Sequence, residues 1–305
     1  MISYAQNAED VVLARLFTGR SGRYVDVGAG HPVEDSVTKH FYDLGWRGIN
    51  IEPTPALADQ LRRERPEDVT LEAAAGEREG RVTLHVMPNW GRSTVDDELA
   101  GAYREAEDWQ TSDVEVEMTT LAAVLDAHPG PVDFLKVDVE GAELAVVRGA
   151  DWKRHQPRVV LVEATAPGEP VQTHGEWEPI LLAAGYQCAL FDGLNRFYAK
   201  ADDGEALAAL TAPANVFDEY ERADVRSNRA AELGYVRRLE EAVEQARQGR
   251  AEDATYLRKL EEQLAQLQKE AATTRRERAA LLHRIAELEE QARRHGTART
   301  DWTSA

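Results

Sequence analysis

Short β-type runs alternate with helical segments along residues 24–199, and this alternation limits the chain to a narrow class of folds. Strands alternating with helices build a mostly parallel sheet that is covered by helices on both faces. The predicted strands are 24–27, 48–52, 69–74, 81–86, 132–139, 158–163, 186–191 and 195–199. The predicted helices are 34–44, 56–65, 119–128, 142–149 and 177–184. The turn Asp192-Gly193-Leu194 predicts a closing hairpin, which would place one antiparallel strand at an edge of the sheet.

Proline and charge divide the chain in two. All twelve prolines lie in residues 1–215, which carry 19 Lys/Arg and 37 Asp/Glu, whereas residues 216–305 carry 17 and 18. This shift places a boundary within residues 201–235. The predicted organisation is a globular domain over 1–220, a linker over 221–234, a coiled coil over 235–295 and a disordered tail over 296–305.

The predicted coiled coil rests on an apolar seam. Seventeen positions spaced alternately by three and four run from Val236 to Ala292, and thirteen of them are apolar when alanine is counted. Such a stripe on a long helix needs a partner, because the helix cannot bury it alone. We expect a homo-oligomer or a docked protein partner. The alternative is a single amphipathic helix packed on its own domain.

Composition excludes several other classes of protein. The net charge of −19 argues against a nucleic-acid binder, which needs a basic face. The single cysteine, Cys188, excludes an internal disulfide framework and a multi-cysteine zinc site. No apolar run approaches the roughly 20 residues of a membrane span. The first residues lack a secretory signal, so we expect a cytoplasmic protein.

Three predicted strands end in residues suited to binding, at the sheet edge where α/β proteins hold their ligands. Gly28-Ala29-Gly30 follows the first strand and lets the backbone approach a ligand closely. Val33 stands where a nicotinamide-binding G-x-G-x-x-G motif has its third glycine, which disfavours an oxidoreductase. Glu52 ends the second strand and suits a ribose diol. The alternatives without a ligand-binding role are a tight turn at 28–30 and a solvated carboxylate at Glu52.

A third strand end carries acids close together. Asp138 lies at the end of the buried strand 132–139, and Glu140 and Glu143 follow in the next turn. Crowded carboxylates raise one another's pKa values and suit a proton acceptor or a cation site. Alternatively, Glu143 complements the dipole at the N-terminus of the following helix.

Residues 133–150, "DFLKVDVEGAELAVVRGA", resemble the signature of FkbM-type S-adenosylmethionine-dependent methyltransferases. Matching pieces in the same order are "SYAQNAEDVVL" (3–13), "YVDVGAGHP" (24–32), "GINIEP" (48–53), "VVLVEAT" (159–165) and "FDGLNRFYA" (191–199). The resemblance implies the class I methyltransferase fold, a Rossmann-like seven-stranded sheet that is mostly parallel with an antiparallel last strand. It also implies O-methylation, often of sugar hydroxyls in glycans, glycolipids or natural products.

The resemblance also implies site residues. It assigns S-adenosylmethionine as the cofactor and Asp138 to the position between methyl donor and acceptor. The implied cofactor contacts include the glycine turn, the ribose acid, an adenine-side pair and an N-terminal covering segment: Asp26, Gly28, Gly30, Glu52, Ala75, Gly76, Gln6, Asn7 and Asp10.

A sugar hydroxyl is a poor nucleophile, so a nearby base would help methyl transfer. Candidates for that base are Asp138, Glu140 and His174. Candidate acceptor contacts are Trp177, Asn195 and Arg196. The acids at 138–143 leave a divalent cation open, but we expect a metal-independent reaction. The alternative function is a catalytically degenerate methyltransferase fold that acts as an interaction protein through its coiled coil.

Overall fold

The structure is a computed structural model, and it describes residues 1–88, 90–107, 111–166, 171–248, 258–259, 261–266 and 269. The chain divides into two units, Met1–Asp224 and Val225–Ala305. The strands are β1 (Ile2–Ser3), β2 (Arg23–Val27), β3 (Arg47–Ile51), β4 (Val69–Leu71), β5 (Ala74–Ala75), β6 (Gly80–Val86), β7 (Ser112–Thr119), β8 (Phe134–Val137), β9 (Val159–Glu163), β10 (Tyr186–Phe191), β11 (Asn195–Lys200) and β12 (Glu221–Arg222). The helices are α1 (Glu9–Phe17), α2 (Lys39–Asp43), α3 (Pro55–Glu64), α4 (Asp97–Glu107), α5 (Leu121–Ala127), α6 (Glu143–Arg148), α7 (Glu178–Ala183), α8 (Gly204–Ala209) and α9 (Ala223–Gln248).

Seven strands form the central sheet of the first unit in the order β10-β11-β9-β8-β2-β3-β4. Five neighbouring strands, from β9 to β4, run parallel, and β11 is antiparallel to both of its neighbours. The predicted mostly parallel sheet is therefore confirmed. The predicted position of the antiparallel strand was wrong, because β11 lies inside the sheet and β10 takes the edge. Phe197, Tyr198 and Ala199 are fully buried in β11, whereas β10 has only two buried residues, Tyr186 and Leu190.

Apolar side chains cover the sheet on both faces. On one face, Leu121 of α5, Val146 of α6 and Leu181 of α7 pack on the strands. On the other face, Leu13 of α1 and Phe41 of α2 do so. Residues of β2, β8 and β9 contribute to both clusters, so these strands are buried on both faces, although Asp26 interrupts the apolar run of β2 and Lys136 that of β8.

A second sheet, in the order β5-β7-β6, was not predicted. The expected strand 69–74 ends early, because its chain leaves the central sheet after Leu71 and Ala74–Ala75 pairs with β7. Strand β7 alternates acidic with apolar residues, and its apolar positions Val114, Val116 and Met118 face a small core. The expected helix 34–44 is present only as α2, and helices α1, α4 and α8 were not predicted.

The segment expected to be a linker, 221–234, instead forms β12 and the start of α9. Strand β12 pairs with β1 in parallel, and the Met1 ammonium donates to Glu219 O at 2.9 Å. Helix α9 includes the beginning of the predicted seam, but most of that seam, and the tail 296–305, lies outside the described residues. Among the described helices, none combines the length and apolar content that a membrane crossing needs.

Candidate functional site

A cavity of about 600 Å³ opens at the carboxyl ends of β2, β3, β8 and β9. This is the edge at which the sequence places its binding residues, and its size is that of small-molecule sites in general. Of the predicted residues, those in the cavity wall are Gln6, Gly28, Gly30, Glu52, Ala75, Asp138 and Glu140.

The glycine turn after β2 packs backbone against backbone. Gly28 has a φ of +73° and Gly30 a φ of +61°. A Cβ on Gly28 would lie 1.8 Å from the carbonyl oxygen of Asp138. No side chain fits there, so only glycine allows the turn after β2 to touch the turn after β8.

Glu52 directly follows β3 and is 4 % exposed. Its Oε2 accepts a hydrogen bond from Gly30 N at 2.8 Å, and its Oε1 accepts one from Thr54 N at 2.8 Å. Burial raises the pKa of Glu52. Each carboxylate oxygen has a second lone pair, so Glu52 can also accept hydrogen bonds from hydroxyl groups in the cavity.

Lys136, in the middle of β8, carries a buried ammonium in the cavity wall that the sequence analysis did not single out. Its Nζ donates to Gly28 O at 2.7 Å and lies 3.3 Å from both Asp26 Oδ1 and Asp138 Oδ2. Burial alone would lower the pKa of Lys136, but the two carboxylates outweigh it and raise the pKa. Asp26 itself lies behind the turn, where its Oδ2 accepts from Thr38 Oγ1 at 2.8 Å.

Three carboxylates meet beside this ammonium. Oxygen atoms of Asp138, Glu140 and Glu163 all lie within 4.8 Å of one another. Burial and then the charge of Asp138 raise the pKa values of Glu140 and Glu163. Glu163 ends β9 and was not among the predicted site residues. Such oxygens are the ligands that divalent cations prefer, and they also suit proton transfer.

Glu143, the remaining acid, uses its side chain to bind the backbone around this cluster. Its Oε1 accepts from Val139 N at 3.1 Å and Gly141 N at 3.2 Å. These bonds hold the turn after β8, in which Glu140 takes a φ of +52°. Glu143 is the first residue of α6, so its position agrees with the alternative that an acid there complements the helix dipole.

The second sheet supplies an apolar part of the wall, from Ala74, Ala75 and Leu84. Gly76 does not line the cavity. Its N–H donates to Thr119 O at 2.9 Å, and a Cβ there would lie 2.7 Å from Met118 Sδ. The loop after β6 completes the wall with Thr94, whose Oγ1 donates to Glu140 O at 2.7 Å.

The N-terminal segment contributes one residue, Gln6, to the wall. Asn7 instead donates its Nδ2 hydrogen bond to Asp192 O at 3.4 Å. Asp10 is buried and accepts from Ser3 Oγ at 2.7 Å, and burial raises its pKa to about 6. Asn7 and Asp10 thus hold the segment in place.

The predicted acceptor contacts and His174 do not line the cavity. Trp177 is 2 % exposed and packs edge-on against Tyr198 at 5.9 Å. Arg196 donates to Glu178 Oε1 at 3.0 Å, and His174 Nε2 lies 3.7 Å from the other oxygen of Glu178. Burial, then the charge of Arg196, lowers the pKa of His174. The side chains of His174, Glu178 and Arg196 form a separate polar cluster around α7.

Asn195 is also buried and lies beyond the cavity wall. Its Nδ2 donates to Glu9 Oε1 at 2.7 Å. Gly193 and Leu194, which precede it in the hairpin, line the cavity instead. The hairpin therefore reaches the site through its turn.

Comparison with known proteins gives one family. The model described as "Methyltransferase FkbM domain" matches residues 26–188, more than half of the chain. No curated protein matches the sequence.

Two solved structures are similar to this chain. A TehB-like SAM-dependent methyltransferase from Corynebacterium glutamicum ATCC 13032 Kitasato is 9 % identical, covering 63 % of this chain and 87 % of its own, with a TM-score of 0.35. The 1,6-didemethyltoxoflavin-N1-methyltransferase of Burkholderia thailandensis, with bound 1,6-didemethyltoxoflavin and S-adenosylhomocysteine, is 14 % identical. It covers 65 % of this chain and 80 % of its own, with a TM-score of 0.33.

Proposed function

Because this chain belongs to the FkbM methyltransferase family, we propose that it transfers the methyl group of S-adenosylmethionine to a hydroxyl group. The acceptor we propose is a sugar in a glycan, a glycolipid or a glycosylated natural product. The observation that carries the proposal is the meeting of Gly28, Glu52 and Asp138 in one cavity of about 600 Å³.

The residues of the cavity fit this cofactor. Glu52 presents a buried carboxylate to the cavity and would accept hydrogen bonds from the two ribose hydroxyls. At Gly28 and Gly30 the cavity wall is backbone without side chains, so the polar methionine part of S-adenosylmethionine can approach it closely. Ala74, Ala75 and Leu84 form an apolar surface suited to the adenine ring.

S-adenosylmethionine supplies a methyl group already activated on a sulfonium, so the protein has mainly to align an acceptor oxygen. Asp138 would accept the proton of the acceptor hydroxyl. Glu140 and Glu163, whose raised pKa values keep them largely protonated at neutral pH, would donate hydrogen bonds to other oxygens of the acceptor. Of the three candidate bases, His174 lies outside the cavity and Glu140 is largely protonated at neutral pH, so Asp138 is the base we propose.

A screen with methyl-labelled S-adenosylmethionine tests the proposal. The purified full chain is incubated with a glycan library and with cell lysate, and labelled products are identified. We expect label on a sugar oxygen, with the Asp138→Asn variant as the inactive control. Label on a nitrogen would contradict O-methylation. Absence of transfer together with absence of cofactor binding would favour the interaction-protein alternative.

A further inference from the structure

We propose that Lys136 is a positioning residue for methyl transfer, because its one ammonium fixes both the glycine turn on the donor side and the carboxylate of Asp138 on the acceptor side. This inference rests on the proposed function. Lys136 lies within the signature segment 133–150, but the resemblance assigns it no role.

The contacts of the ammonium span two strands and two turns. From β8 it reaches Gly28 O at 2.7 Å, in the turn after β2, and Asp138 Oδ2 at 3.3 Å, in the turn after β8. Its third contact, Asp26 Oδ1 at 3.3 Å, lies on β2, where Asp26 and Lys136 are direct neighbours in the sheet register. Asp26 Oδ1 has no hydrogen bond besides this ion pair.

Lys136 also acts on the acids that share the cavity. Its charge lowers the pKa values of Glu52, at the end of β3, and of Glu140, against the larger effect of burial. Asp26 from β2 contacts Lys136 directly, and the charged groups that line the cavity with Lys136 are Glu34 and Asp35 after β2, Glu52 after β3, Arg92 after β6, Asp138 and Glu140 after β8, and Glu163 from β9. Lys136 contacts both the turn after β2 and the turn after β8, so its ammonium links the donor-side and acceptor-side elements.

This geometry makes two separable demands on Lys136. Its charge neutralises Asp26, which is 1 % exposed and would otherwise be a buried, unpaired carboxylate. Its position anchors Gly28 O and Asp138, and its charge opposes the rise that burial causes in the pKa of Glu52. A purely structural lysine would meet only the first demand.

Three variants of the full chain separate these demands: Lys136→Met, Lys136→Arg and the double variant Asp26→Asn/Lys136→Met. S-adenosylmethionine affinity is measured by calorimetry from pH 5.5 to 9, and the melting temperature is measured in parallel. Lys39→Met is the matched control, because it removes a lysine whose ion pair with Asp43 lies outside the cavity wall.

We expect Lys136→Met to weaken cofactor binding at least tenfold and to move the pH at which binding is half-maximal upward, since Glu52 loses a neighbouring cation. Lys136→Arg keeps the charge and should retain the wild-type pH midpoint. The double variant should regain the melting temperature lost by Lys136→Met while its affinity stays at least tenfold weaker.

Wild-type affinity in the double variant, or an unmoved pH midpoint in Lys136→Met, would overturn the inference. If Lys136→Met does not fold, the double variant and Lys136→Arg decide on their own. Failure of the proposed function is distinct, because the wild-type chain itself would then bind no S-adenosylmethionine.

Discussion

Asn195 donates a hydrogen bond of 2.7 Å to Glu9 across 186 positions of the sequence. Glu9 also accepts from Asn7 N at 2.9 Å, next to Gln6 in the cavity wall. The bond therefore joins the N-terminal segment to the β10–β11 hairpin, and both contribute to the wall. Asn195, a candidate acceptor contact from its place in the predicted hairpin, instead connects two parts of the site.

The first prediction concerns the pH dependence of stability. Burial raises the pKa of Glu9 to about 7, well above its value in the unfolded chain. The folded state therefore binds the extra proton, and ionisation of Glu9 costs up to about 3 kcal/mol of stability as the pH rises from 4.5 through 7. Glu9→Gln keeps the bond to Asn195, whose amide can reverse, and removes this cost.

The free energy of unfolding of Glu9→Gln should accordingly fall less between pH 5 and pH 8 than that of the wild type. Urea unfolding at both pH values measures the difference, with Glu176→Gln as an exposed control. If the free energy of unfolding of Glu9→Gln falls between the two pH values by as much as that of the wild type, the assignment of this pH dependence to Glu9 is wrong. Asp10 keeps part of the pH dependence in every variant, because burial raises its pKa to about 6.

The second prediction concerns the glycine turn. Gly28→Ala should reduce stability by about 2–4 kcal/mol and abolish cofactor binding, because its Cβ would displace the backbone of Asp138. Gly45→Ala is the matched control. Gly45 also has a positive φ, +91°, but no atom lies within 4 Å of its Cβ, so about 1 kcal/mol is expected. Equal losses of stability in both variants would show that backbone strain alone, and not the contact with Asp138, explains the loss at Gly28.

The third prediction separates the acids by protonation state. Burial and then the charge of Asp138 raise the pKa of Glu163, so Glu163→Gln imitates its protonated form and should keep methyl transfer within about threefold at pH 7. Asp138→Asn removes the proposed base and should lose at least about 100-fold. Rates with labelled donor and the acceptor from the screen test this. A loss in Glu163→Gln as large as that in Asp138→Asn would make Glu163 the base.

The fourth prediction concerns the C-terminal helix. A chain ending at residue 230 keeps β12 and its pairing with β1, so cofactor affinity should be unchanged. The full chain should be an oligomer by light scattering, and the shortened chain a monomer, because the seam from Val236 onward is removed. A full chain with the mass of one copy, 33.9 kDa, would refute the coiled-coil prediction.

The sequence predicts the parts of the site that lie at the ends of strands. Gly28, Glu52 and Asp138 each follow a recognisable apolar run, and parallel strands bring their carboxyl ends to one edge. Their convergence in the cavity needs no knowledge of long-range contacts.

The remaining residues depend on partners that are distant in sequence. Lys136 lies inside an apolar strand, and only the register of β2 against β8 shows that it faces Asp26. The role of Asn195 depends on Glu9, at the other end of the domain. Strand β7 escaped prediction because its alternating acids resemble an exposed segment, and with it the apolar wall from the second sheet was missed.

Calorimetric titration of the full chain with S-adenosylmethionine tests the central claim most directly. We predict saturable binding at one site per chain, weakened by about 1–3 kcal/mol in Glu52→Ala, where the ribose hydroxyls lose a charged acceptor. Glu72→Ala, which removes an acid paired with Arg62 outside the cavity wall, should bind as the wild type does. No heat of binding at millimolar cofactor, or equal affinity in Glu52→Ala, would contradict the account.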